Sequence, residues 1–114
     1  HGLFVDRSVV ALPARAAEFM GITCLRSGIV AVYSLRAILG HPPADVPMRW
    51  LLLAGPFALA FERFDAFARI ARSELAGVLA AGRGGHVAGT AMIAGERRSI
   101  ISLRSIMQSV STKV

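Results

Sequence analysis

The chain of 114 residues is long enough for one domain, or for two very small subdomains sharing a core; with 54% hydrophobic and 18% charged residues it is excluded from the disordered class. Its longest apolar run, 50–61, is broken at Gly55-Pro56 and falls short of the roughly 20 residues a membrane helix needs, so no membrane insertion is expected. The formal charge of +6 rests on 13 basic residues, 12 of them Arg, spread from Arg7 to Arg104 with only Arg97 and Arg98 adjacent; that dispersal reads as a solvated surface and makes nucleic acid an unfavoured partner.

In chain order, residues 2–12 (GLFVDRSVVAL) predict one strand or two short ones ending at Pro13. ARAAEFM, 14–20, has helical composition but room for only one turn. Residues 22–33 then predict a hairpin turning at Arg26-Ser27-Gly28. Ser34 stands where a helix N-cap is needed, Leu35 to Leu39 form a short helix, and Gly40 ends it. HPPADVP, 41–47, is a loop, because three prolines forbid regular pairing. Two apolar strands within 48–64 flank Ala54-Gly55-Pro56. DAFARIA, 65–71, alternates and predicts a further strand, and RSELAGVL, 72–79, a Ser-capped helical turn. A Gly-rich loop over 80–89 leads to a second hairpin turning at Gly95-Glu96, and a helix from about Leu103 to Val110 closes the chain. Short strands, tight turns and little helix predict a mostly β protein, small antiparallel barrels or a sandwich.

The chain also repeats itself. A shift of 68 residues lays 21–39 on 89–107 without a gap, with five identities in 19 positions: Gly21/Gly89, Ser34-Leu35-Arg36 on Ser102-Leu103-Arg104, and Ile38/Ile106. Leu25/Ile93, Val32/Ile100 and Leu39/Met107 match in character. One hairpin–helix unit is therefore used twice, within a single domain spanning 1–114.

Catalytic chemistry has little to work with. The seven acids are scattered, and Glu62 and Asp65, the nearest pair, would point to opposite faces of a strand. His1, His41 and His86 lie far apart and no metal-ligand spacing occurs, so neither metal nor cofactor is expected. GRGG at 82–85 lacks the Gly-Lys-Ser/Thr ending of a phosphate loop. Phe57, Phe61, Phe64 and Phe67 read as core rather than a platform for bases. Cys24, the single cysteine, reads as a small buried residue of a reducing cytoplasm. No secretory signal is apparent, and the absence of Met at position 1 suggests a piece of a longer protein. An enzyme is not expected.

Residues 21–40, GITCLRSGIVAVYSLRAILG, resemble the signature of the CheW-like chemosensory adaptor family, which reads Gly-Val-x-Asn-Leu-Arg-Gly, an apolar strand with Pro, then Asp-Leu-Arg and a short helix. The corresponding residues are Gly21, Ile22, Cys24, Leu25, Arg26, Ser27, Ala31, Ser34, Leu35 and Arg36. ALAFERFDAFARIARSEL is similar to the family's middle region, with Glu62 where Asp is usual, and HVAGTAMIAGERRSIISLRSIM to its closing hairpin and helix. The resemblance covers about 10–110. It implies two small intertwined SH3-like barrels, and a cytoplasmic scaffold that bridges chemoreceptor tips to a CheA-type histidine kinase. The receptor tip would dock in the groove between barrels, with Arg26 pairing with a receptor carboxylate and Ile22, Leu25 and Val30 supplying apolar contact.

The departures from that pattern are Cys24 for Asn, Ser27 for Gly, Ala31 for Pro and Ser34 for Asp. Only residues 1–12 precede Pro13, which implies an incomplete first barrel and resembles the short accessory members of the Frizzy system of gliding myxobacteria. Such a member would bind receptors without engaging the kinase, and an open strand edge would invite a second copy or another CheW-like protein. Two other readings stand beside this one: a basic small-barrel protein binding nucleic acid or the nucleoid, and a regulatory domain cut from a longer kinase.

Overall fold

In the computed structural model the chain is described over residues 2–14, 16–26, 28–70, 75–76 and 86–113. It divides into two compact units, His1–Phe64 and Asp65–Val114.

The first unit contains β1 (Gly2–Val5), β2 (Phe19–Leu25), β3 (Gly28–Ser34), the short helix α1 (Leu35–Ile38), β4 (Trp50–Ala54) and β5 (Phe57–Phe61). They form one five-stranded sheet in the order β1-β4-β5-β3-β2. β5 is its central strand, and FALAF lacks polar alternation because Phe57, Ala58, Leu59 and Ala60 are all buried. β5 pairs antiparallel with β4 through the turn at Gly55-Pro56, and parallel with β3. The parallel pair demands a crossover, which α1 and the proline-rich loop supply. Ser34 starts α1 with extended backbone, its Oγ accepting the Ala37 N–H at 3.2 Å. Leu25, Val32, Leu51, Ala58 and Ala60 form the buried cluster, with Phe4, Val9, Met20, Val30, Met48 and Leu53 packed against it.

The first strand does two jobs. β1 pairs with β4, and the chain then bends at Asp6, whose φ is 55°. The Asp6 N–H donates to Arg49 O at 2.8 Å, and its carboxylate accepts both Arg49 Nε at 2.8 Å and Nη2 at 2.9 Å. Those side-chain hydrogen bonds hold the Asp6 carboxyl below its ordinary range. Past the bend the chain reaches the far edge of the sheet: Val10 and Ile22 exchange backbone bonds, and Thr23 Oγ1 donates to Ser8 O at 2.6 Å. Among the described residues one bridge rather than a ladder joins the returning chain to β2, and the sheet forms no closed barrel.

The second unit holds β6 (Leu75–Ala76), β7 (Val87–Ile93), β8 (Glu96–Ile101) and α2 (Leu103–Lys113), with the sheet order β6-β7-β8. Ile106 and Val110, four apart on one stripe of α2, are buried, as is Ala91 of β7. The 68-residue repeat is structural in detail. Register shifts fall between Phe19 and Gly21 in β2 and between Val87 and Gly89 in β7. Ser34 N donates to Glu18 O and Ser102 N to His86 O, each at 2.7 Å. Ser102 Oγ accepts the Ser105 N–H at 3.1 Å, as Ser34 does for Ala37. The turns carry left-handed residues at the same place, Arg26 at φ 50° and Ala94 at φ 52°.

Several expectations are corrected. Over 2–12 the ladder covers only Gly2–Val5, with an isolated bridge at Val10, and residues 16–18 form the single turn expected before β2. Residues 65–70 form no strand: Phe67 is 84% exposed, and alternation without a neighbouring edge in register makes no ladder. Leu75 and Ala76 pair with β7 where a helical turn was expected; the rest of 72–79, like GRGG, lies outside the described residues. Cys24 is exposed, because it falls on the opposite face of β2 from Thr23 and Leu25.

Gly21 sits at φ 147°, and a Cβ there would overlap the Val10 carbonyl oxygen. Gly40 also has a left-handed φ, 82°, but nothing within 4 Å. In urea unfolding, Gly21→Ala is expected to lose about 3 kcal/mol or more from strain and clash together, and Gly40→Ala only about 1–2 kcal/mol. Equal losses would show that the Val10 approach constrains nothing.

Candidate binding surface

The β2–β3 hairpin divides the four expected contact residues between two faces. Residues opposite each other in an antiparallel ladder share a face, and the register pairs Ile22 with Ala31, Thr23 with Val30, Cys24 with Ile29 and Leu25 with Gly28. Leu25, only 3% exposed, belongs to the core, and Val30 packs against that core. Ile22 lies on the outer face with Cys24 and with Ile29, which is 74% exposed. Leu25 and Val30 thus support the hairpin from beneath, while Ile22 and Ile29 present its apolar surface. Ile29 was legible in principle: its place opposite Cys24 follows once the turn is fixed at Arg26 to Gly28.

Arg26 occupies the turn, exposed, with its guanidinium carbon 5.6 Å from the centre of the Phe4 ring. Arg7 lies over the same ring at 5.2 Å. A Cβ at Gly2 would come within 2.8 Å of Arg26 Nη2, so the glycine leaves room for the guanidinium. The nearest acid in sequence, Asp6, is held by Arg49. Among the described residues neither Arg7 nor Arg26 has a carboxylate within ion-pair distance, whereas Arg36, Arg49 and Arg98 pair with Glu62, Asp6 and Asp65. Phe4 and Arg7 gave no local signal in the sequence, since only the bend at Asp6 brings them to the hairpin.

Other motif residues are structural. Arg36 donates from Nε to Pro42 O at 2.6 Å and reaches Glu62 at 3.5 Å, tying α1 to the loop and to the end of β5. A cleft of about 450 Å³ beside α1 is lined by Met20, Met48, Pro43, Glu18, Arg36 and His41. His86 Nδ1 lies 2.7 Å from Ser105 Oγ. Among the described residues no group of three or more His, Cys, Asp or Glu could hold a metal ion, and no helix is long and apolar enough to cross a membrane.

The mostly β architecture, two sheets with few and short helices, is a CheW-like fold. The particular likeness is to the crystal structure of scaffolding protein TtCheW from Thermoanaerobacter tengcongensis, with a TM-score of 0.72 and 18% identity over 90% of this chain and 75% of that one. No protein-family model matches the chain, and no curated protein does.

The two faces of the hairpin separate in stability measurements. Leu25→Ala is expected to cost about 2–5 kcal/mol in urea unfolding, and Ile29→Ser to stay within about 0.5 kcal/mol. A large loss at Ile29 would place it in a core.

Proposed function

We propose that the protein is a non-enzymatic, cytoplasmic scaffold of a chemosensory array that binds chemoreceptor cytoplasmic tips through the β2–β3 hairpin. The observation that carries this reading is Arg26: an exposed guanidinium at a hairpin turn, seated on Phe4, with no acid of its own among the described residues. Its planar fork suits a carboxylate, and Ile22 and Ile29 on the outer face of the same hairpin supply apolar area. The CheW-like fold supports the same role. In finer detail, the chain acts as an accessory member of the kind found in the Frizzy system: it holds receptors and modulates array assembly without strong attachment to the CheA-type kinase. The single Val10–Ile22 bridge in place of a closing ladder supports that variant, since it leaves sheet edges open to a second copy or another CheW-like protein.

The test is titration calorimetry of the chain against a receptor tip fragment and against a kinase regulatory domain. Receptor binding is expected, with Arg26→Glu weakening it at least tenfold, and kinase binding much weaker or absent. Equal receptor affinity in the mutant would overturn the docking site. Binding of duplex DNA instead, falling steeply with salt, would replace the scaffold reading with a nucleic-acid one.

A further inference from the structure

We infer that Arg7 and Arg26 act together on Phe4 as a two-cation seat, and that the segment they receive carries at least two carboxylates. The inference rests on the receptor-binding reading of the hairpin and adds Arg7, Phe4 and Gly2 to it.

Two guanidiniums lie over one aromatic ring, at 5.2 and 5.6 Å from its centre. The ring's negative faces hold both cations, yet the cations repel each other, and neither has a carboxylate among the described residues. Asp6, adjacent to Arg7, accepts from both Nε and Nη2 of Arg49. An incoming anion relieves that repulsion, and two carboxylates relieve it more completely than one.

The turn does not need an arginine. At the equivalent point of the repeat, Ala94 takes the same conformation, φ 52° against 50° for Arg26, so the Arg26 guanidinium is not required to build the hairpin. The seat is built at some conformational cost, with left-handed backbone at both Asp6 and Arg26, and with a residue at position 2 that leaves room for the Arg26 head. At the 68-residue offset Arg26 corresponds to Ala94 and Val30 to Arg98, and Arg98 is engaged by Asp65 and Glu96. The two copies of the hairpin have diverged: an arginine holds the left-handed turn position in the first and an alanine in the second.

The test uses the full chain and a soluble coiled-coil fragment carrying a chemoreceptor's cytoplasmic tip, with a second fragment whose tip acids are changed to amides. Arg7→Gln and Arg26→Gln are each expected to weaken binding about tenfold, and Phe4→Leu to weaken it comparably although no charge changes, with melting temperatures confirming that the variants fold. Arg7→Lys, which keeps the charge but loses the fork, should fall between wild type and Arg7→Gln. Against the amide fragment the arginine variants should differ little from wild type. If Arg26→Gln weakens binding and Arg7→Gln stays within twofold of wild type, the two-cation seat is overturned and the hairpin reading stands. If the unmodified chain does not bind the tip fragment, both are overturned.

Discussion

The close approach of the Val10 carbonyl to Gly21 is the constraint on which the rest of the first unit depends. The chain leaves β1 at one edge of the sheet and must reach β2 at the other within a few residues. It can do so only if β2 has no side chain at the crossing point, and Gly21, with φ 147° and no space for a Cβ, meets that requirement. The bend at Asp6, fixed by Arg49 on β4, and the Thr23–Ser8 hydrogen bond then hold the returning chain. Through this route Phe4, paired into β4, packs against the same core as Leu25 and lies under Arg26. Loss of the crossing would disturb core and surface together.

Charge in the first unit is distributed according to the same geometry. Arg49 and Arg36 have carboxylates and serve the bend and the α1 loop, where exposed or half-exposed pairs add modestly to stability and mainly fix position. Arg7 and Arg26 are left on an aromatic ring, facing solvent. A protein selected only for solubility would have no reason to gather two such cations on one ring. The outer face of the same hairpin carries Ile22 and the exposed Ile29.

Much of this was legible in the sequence where a local rule sufficed. The hairpins, the Ser34 cap and the Gly55-Pro56 turn follow from turn chemistry and strand patterning, and the 68-residue offset marked positions that share bulge, cap and backbone conformation. What failed was local pattern without a partner. DAFARIA alternates, but its described residues, 65–70, form no strand; Leu75-Ala76 pairs with β7 although RSELAGVL has a helical composition. At the hairpin, the family resemblance names Arg26, Leu25 and Val30 together, but strand alternation sends Leu25 and Val30 inward, and the same alternation sends Cys24 out. Phe4 and Arg7 depend on a tertiary bend, which no periodicity encodes.

In the proposed scaffold role the outer face of the β2–β3 hairpin, not the β7–β8 hairpin that repeats it, meets the receptor. Cross-saturation NMR tests it directly, with the chain deuterated except at isoleucine methyls and the receptor tip fragment protonated. Transfer is expected at the Ile22 and Ile29 methyls and not at the buried Ile106. Transfer to Ile93 or Ile100, with none at Ile22 and Ile29, would contradict it and place the contact on the second unit.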